Sequence, residues 1–225
     1  ACSAGAWCGM WVVKLGGSLA RSPRLQDWVT GLAEYGAGKV IIVPGGGPFA
    51  DLVRAEQVRA GFQDSAAHHM AILAMEQFGF MLEGLHPNLC TAATETELRA
   101  ALAIGCVPVW LAYPMTARDD TLPQDWSVTA DSLALWLAIH LQAEALLLVK
   151  SAPLQGGLVA MESLCAGGVM DSHFPVLVRQ YAGEIRWLGS DECAQVGPSV
   201  KLGQVPGVLL RCEVSAPSPR RVTPV

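Results

Sequence analysis

The sequence predicts an α/β fold, a three-layer αβα sandwich around a central, mainly parallel sheet. Short runs rich in Val, Ile and Leu alternate with longer segments whose apolar residues recur at three- and four-residue spacing. The short runs are apolar along their whole length, as strands covered on both faces must be. The 225 residues, 52% hydrophobic and 16% charged, suit one domain with a large core and are few for two.

In chain order, strands are expected at 11–15 (WVVKL), 40–43 (VIIV), 107–112 (VPVWLA), 145–149 (ALLLV), 185–188 (IRWL) and 208–211 (VLLR). Helices are expected at 23–35, 49–59, 65–83, 94–103, 131–142 and 174–181, each with helical apolar spacing. Residues 10–212 read as a single domain. Residues 1–9 precede Met10, lack the basic start and long apolar run of a signal peptide, and read as a leader or cloning remnant. The Pro-, Ser- and Arg-rich end, 213–225, reads as a disordered tail.

Charge and cysteine usage exclude several classes of function. A formal net charge of -5 argues against a protein that gains affinity by neutralising nucleic-acid phosphates. Any bound anion must be met by local cations. The seven cysteines are odd in number and scattered without metal-type spacing, as expected of reduced cytoplasmic thiols; Cys106 and Cys165 read as core fillers. The longest apolar stretch, 132–149, is interrupted by His140, Gln142 and Glu144, so no membrane span is expected.

Two glycine loops follow the first two strands. Lys14-Leu15-Gly16-Gly17-Ser18 sets bare amides and a lysine at a strand's carboxyl end, which suits a phosphate cradle but also a tight turn that merely needs glycine. Pro44-Gly45-Gly46-Gly47-Pro48 is costly in chain entropy, so either a ligand approaches the backbone closely or the turn is sharp. The helix after it carries Asp51 and Arg54. Neither loop is a P-loop, and Gly38-Lys39 runs into Val40 without the required Ser or Thr.

Further on, Thr129 is placed to cap a helix with Asp131 in its first turn. That is an ordinary helix start, yet a carboxylate there could also hold two lysines charged and oriented around a phosphoryl group. Lys150 ends the strand 145–149 as Lys14 closes the first, and the chain has only four lysines. The polar stretch 113–127 is long enough to serve as a substrate or lid segment. On the helix 65–83, His68 and His69 point about 100° apart, so at most one faces a site. Trp110, Trp126, Trp136, Met70 and Met75 read as core or site wall, and Asp119-Asp120 as a solvated loop tip.

Four segments in order, VVKLGGSL (12–19), VIIVPGGGPFADLVR (40–54), DWSVTADSLALWLA (125–138) and LLLVKS (146–151), resemble the amino acid kinase superfamily, which includes acetylglutamate, uridylate, isopentenyl phosphate and carbamate kinases. DSAAHHMAILAMEQFG (64–79) and MDSHFPVLVRQY (170–181) are similar to the kinases of methanofuran biosynthesis within it. The resemblance implies transfer of the ATP γ-phosphoryl group, with Mg²⁺, to a small phosphorylated acceptor, [5-(aminomethyl)furan-3-yl]methyl phosphate, in a cytoplasmic homo-oligomer. It also implies roles: Lys14 on the transferring phosphoryl oxygens, Gly16, Gly17, Ser18 and Lys150 on ATP, and Gly45, Gly46, Gly47, Asp51 and Arg54 on the acceptor, with Asp131 organising Lys14 and Lys150. No residue is assigned to a protein-bound metal. Asp51, Glu76 or Asp171 could meet an acceptor ammonium. After Lys150 the chain reads Ser151-Ala152-Pro153-Leu154-Gln155-Gly156-Gly157, where many relatives carry a Val-Asp-Gly-type nucleotide loop. Another superfamily acceptor (a carboxylate, carbamate or nucleoside monophosphate) and a nucleotide binder without turnover are the competing readings.

Overall fold

The structure is a computed structural model that describes residues 9–151, 153–154, 164–165 and 167–210. The expected leader up to residue 8, the tail from 211 and most of the segment after Lys150, including Gly156 and Gly157, lie outside the described residues.

Seven strands form one sheet: β1 (Trp11–Leu15), β2 (Val40–Pro44), β3 (Leu89–Ala92), β4 (Val107–Trp110), β5 (Ala145–Lys150), β6 (Glu184–Gly189) and β7 (Val208–Leu209). Their order is β3-β4-β2-β1-β5-β6-β7. All neighbours are parallel except β6 and β7, which close one edge antiparallel. The expected three-layer αβα sandwich with a mainly parallel sheet is therefore observed.

Helices α1 (Leu25–Tyr35), α2 (Gly47–Ala60), α3 (Asp64–Glu83), α4 (Glu95–Ala103), α5 (Tyr113–Thr116), α6 (Ala130–His140), α7 (Phe174–Val178) and α8 (Val196–Leu202) occupy the connections. Because side chains alternate across a strand, Val12, Ile41, Leu146 and Leu148 enter a core with α4, α6 and α7. Val13, Leu15, Ile42, Leu147 and Val149 enter a second core with α1 and α8 on the opposite face.

The structure departs from the sequence expectation in β3, α5 and α8, which were not predicted, and in the expected strand 107–112, which stops at Trp110 because the chain turns into α5. β3 is a four-residue strand of Leu89-Cys90-Thr91-Ala92 with its two middle residues only partly buried, too short and too mixed to show a period. Its pairing with β4, from Leu89 beside Val107 to Ala92 beside Trp110, makes it a strand.

The connection from β1 leads toward β2 and that from β5 toward β6, although β1 and β5 are neighbours. In a doubly wound sheet such a divergence opens a crevice beyond the carboxyl ends of the two strands. Lys14 and Lys150 stand there.

Candidate active site

Lys14 shares its face of β1 with Val12, and Lys150 shares its face of β5 with Leu146 and Leu148. On that side of the sheet α6 brings its first turn, and with it Asp131, to the strand ends. The Lys14 ammonium lies 2.9 Å from Asp131 Oδ1 and the Lys150 ammonium 2.5 Å from Oδ2. Lys150 also donates to the Val169 carbonyl at 2.7 Å. The side chains of Lys14, Lys150 and Asp131 are 7%, 12% and 6% exposed, so two cations and one anion are largely withdrawn from water.

Burial works to raise the Asp131 carboxyl, but the charges of Lys14 and Lys150 and the hydrogen bonds from them outweigh it and hold the group below the ordinary carboxylate range. Lys150 is lowered as well. Burial first and the Lys14 charge second lower it, and the Asp131 charge and hydrogen bond only partly restore it. With both lysines protonated, two cations against one carboxylate leave the cluster with a net positive charge that a phosphate can neutralise.

The start of α6 is held from outside the helix. Thr129 occupies the N-cap position without a side-chain cap of its own; its hydroxyl donates to Asp171 Oδ2 at 2.8 Å instead of accepting from the helix. Asp171 Oδ2 also accepts the backbone N–H groups of Thr129 and Ser132 at 2.9 and 3.0 Å.

The two glycine loops meet. Gly45 N–H donates to the Leu15 carbonyl at 2.8 Å, and Gly16 N–H to the Val149 carbonyl at 3.0 Å. A Cβ on Gly17 would stand 2.2 Å from the Gly47 nitrogen, and one on Gly47, whose φ is +52°, 2.8 Å from the Gly17 carbonyl. Close contact between the loops thus requires glycine at both positions, a reason that neither a ligand approach nor a sharp turn supplies.

Beyond these loops opens a cleft of about 530 Å³ lined by Lys14, Gly17, Ser18, Gly45, Gly46, Gly47, Asp51, Arg54 and Asp131, together with Arg21, His68, Trp126 and Asp171. Gly16 and Lys150 are not among its lining residues. α2 begins at Gly47 with Pro48 in its first turn, and its unpaired N–H groups give this end of the cleft a partial positive charge. Arg54 is paired with Asp51 at 3.2 Å and lies 4.3 Å over the Trp126 ring, whose Nε1–H donates to Gln57 at 2.7 Å. Bare amides, two buried ammonium groups and two arginines around one cavity can bind and neutralise phosphoryl oxygens.

The description "Amino acid kinase family" belongs to the family model that matches residues 9–153. The chain belongs to this family. It is an enzyme, a kinase that takes its phosphoryl group from ATP. It is 24% identical over 182 residues to the [5-(aminomethyl)furan-3-yl]methyl phosphate kinase of Methanocaldococcus jannaschii, covering 76% of this chain and 84% of that one. Its fold is similar to that of the uridylate kinase from Archaeoglobus fulgidus, with a TM-score of 0.67 at 14% identity over 90% of this chain and 100% of the other. The UMP kinase from Bacillus anthracis gives a TM-score of 0.63 at 19% identity, over 91% and 96% of the two chains.

The remaining candidates of this amino acid kinase fall in different places. Of the carboxylates considered for an acceptor ammonium, Asp51 faces the cleft, Asp171 is occupied by the start of α6, and Glu76 accepts the Tyr113 N–H at 2.8 Å outside the cleft lining. His68 lines the cleft, 3% exposed, while His69 packs edge-on against Tyr113. The stretch 113–127 contains α5 and is anchored by the Glu76 contact and by a 2.9 Å hydrogen bond from Trp136 to Asp119; Trp126 carries it into the cleft wall. The Asp119 carboxylate thus belongs to a packed turn rather than a free tip. Cys106 and Cys165 are only partly buried, and each thiol has a backbone carbonyl as acceptor.

Arg21 in the lining was not singled out from sequence. Its signal was its place in the 3-10 turn Gly17–Arg21 that follows the first glycine loop. The Val169 carbonyl that anchors Lys150 left no signal, because any residue supplies a carbonyl.

Proposed function

We propose that this kinase transfers the ATP γ-phosphoryl group to a small phosphate monoester, [5-(aminomethyl)furan-3-yl]methyl phosphate, giving the diphosphate and ADP. The observation that carries the reading is the Lys14–Asp131–Lys150 cluster at the mouth of two touching glycine loops. The name of the Methanocaldococcus jannaschii relative supports the acceptor.

A monoester dianion needs no general base, because its second pKa is about 6. Its oxygen attacks the γ-phosphorus, a new P–O–P bridge forms, and the bond from the γ-phosphorus to the β,γ-bridging oxygen breaks with its electron pair leaving on ADP. The protein must bring two polyanions together and stabilise charge on the equatorial oxygens, which positioned cations and amides do. Lys14 and Lys150 take the transferring group, Gly16, Gly17 and Ser18 the ATP phosphates, and Gly45, Gly46, Gly47 and Arg54 the acceptor phosphate. Asp51 receives the acceptor ammonium.

Among the described residues no group of three His, Cys, Asp or Glu side chains is arranged to hold a metal ion. Asp131 and Asp171 are already engaged. No step is assigned to a protein-held metal, and Mg²⁺ is read as entering on the ATP phosphates, its usual manner of binding. Among the described residues no helix is long and apolar enough to cross a membrane. The scattered cysteines suit a cytoplasmic location. A homo-oligomer fits the apolar side chains exposed along α2 and α3, Leu52, Met70, Leu73 and Phe80, and light scattering would reveal a monomer if that is wrong.

Incubation with MgATP and synthetic [5-(aminomethyl)furan-3-yl]methyl phosphate, followed by mass detection, should yield the diphosphate and stoichiometric ADP. Faster turnover of UMP, a carboxylate or carbamate in a parallel panel would replace this acceptor while leaving the kinase assignment in place.

A further inference from the structure

We propose that Asp171 is a positioning residue of the transfer centre: it holds the first turn of α6 so that the Asp131 carboxylate stands between Lys14 and Lys150. The inference rests on the reading of those three residues as the site of phosphoryl transfer. Asp171 touches neither lysine by hydrogen bond and acts through the helix that carries Asp131.

The bonding of this one side chain is the argument. Oδ2 accepts the Thr129 N–H at 2.9 Å, the Thr129 hydroxyl at 2.8 Å and the Ser132 N–H at 3.0 Å. Oδ1 accepts the Phe174 N–H at 3.0 Å and the Ser132 hydroxyl. A carboxylate offers about four lone-pair sites, so five donors leave no capacity for a ligand even though Asp171 lines the cleft.

Four of the five donors come from Thr129 and Ser132, on either side of Asp131, so the carboxylate satisfies amides that the helix start leaves open and places negative charge at its positive end. The bond to Phe174 N–H ties the same carboxylate to α7, whose Phe174 ring is buried in the core. Two residues earlier in this segment, the Val169 carbonyl accepts the Lys150 ammonium at 2.7 Å. One short strap thereby fixes Lys150 from one side and Asp131 from the other. Loosening it should let the carboxylate leave the lysines.

A helix cap of stabilising value alone would show the same bonds, so the test must read the lysine. The groups facing the Lys150 ammonium are Lys14 on β1, Asp131 on α6, the Asp171 charge and the Trp187 ring on β6, with its centroid 5.6 Å away. The probe is slow acylation of Lys150 by acetic anhydride across pH, followed by peptide mass spectrometry, in the wild type, Asp171→Ala and Asp171→Asn. Asn keeps one carbonyl oxygen for the α6 donors and loses the charge, whereas Ala loses both.

Both variants remove the direct Asp171 charge and lower Lys150 alike on that account; displacement of Asp131 is read from the further fall in Asp171→Ala beyond Asp171→Asn, by about one pH unit or more. In turnover of MgATP with [5-(aminomethyl)furan-3-yl]methyl phosphate, Asp171→Ala should lose about 30-fold or more in kcat with KM for ATP within about threefold, and Asp171→Asn should recover most of it. Lys150 titration in a folded Asp171→Ala variant no lower than in Asp171→Asn, or a loss confined to KM, overturns the inference. Should Asp171→Ala fail to fold, Asp171→Asn combined with Ser132→Ala carries the same comparison, and titration there equal to that of Asp171→Asn alone overturns it equally. A titration lower in Asp171→Ala than in Asp171→Asn, with no turnover of this acceptor by the wild type, upholds the positioning role and rejects the acceptor. Full turnover by Lys14→Ala would instead sink the reading of the centre itself.

Discussion

Replacing Asp131 by Asn tests the electrostatic centre most directly. The substitution keeps size and shape and removes only the negative charge from a side chain that sits 2.9 Å from one ammonium and 2.5 Å from another, with all three side chains largely buried. Two unit charges about 4 Å apart in an effective dielectric of about 20 interact by roughly 4 kcal/mol, and breaking a buried pair by removing one partner typically costs about 3–5 kcal/mol. If most of that loss appears in the transition state, where both lysines must face the phosphoryl group, kcat falls by about 10²–10³-fold, since about 1.4 kcal/mol is tenfold. The same loss lowers Lys150 further. Lys150 already lies below its usual value because of burial and the Lys14 charge, so the basic limb of the kcat–pH profile should move to lower pH by about two to four units, at 1.36 kcal/mol per unit. Steady-state kinetics from neutral to alkaline pH, with circular dichroism as a fold control, measure both effects. A folded Asp131→Asn enzyme with kcat within about threefold of wild type and an unmoved basic limb would refute the reasoning.

Three further outcomes follow from individual contacts. Gly17→Ala places a Cβ 2.2 Å from the Gly47 nitrogen and 2.7 Å from its Cα; because backbone cannot yield as a side-chain tip does, melting should fall by an amount equivalent to about 1–3 kcal/mol, with KM for both substrates raised. Unchanged melting would mean the loops separate freely. Arg54→Ala removes the cation over Trp126 and the partner of Asp51, so acceptor KM should rise about tenfold while ATP KM stays nearly constant; a change in ATP KM alone would exchange the two subsites. His68→Gln addresses acid stability. Burial lowers His68 despite its Asp125 carbonyl contact, so the unfolded chain binds the proton first, and stability present above about pH 6.5 is lost as pH falls toward the folded value. Gln should flatten denaturant midpoints across that window, and an identical slope in both proteins would exclude His68 as the cause.

What could be read from the chain and what could not divide along a physical line. Strands such as Trp11–Leu15 and Ala145–Lys150 are covered on both faces by helices, so burial wrote itself into composition as an unbroken apolar run. Lys14 and Lys150 stood out for the same reason, since a cation closing such a run is a local anomaly. β3 lacked that mark: a short strand with its two middle residues only partly buried is defined by what β4 offers it. The reason for the glycines was equally invisible, because the atom that forbids a Cβ at Gly17 belongs to Gly47, thirty residues away in the chain and brought near by the pairing of β1 with β2. Asp171 is the sharpest case. From sequence it was one of three carboxylates free to meet a ligand, and Thr129 was expected to cap its own helix; a cap supplied from 42 residues downstream reverses both assignments at once. Local anomalies of polarity thus point to candidate groups, whereas the partners those groups find are set by tertiary contact. A ligand subsite inferred from unpaired sequence polarity must therefore be checked for a partner elsewhere in the fold before it is given a substrate.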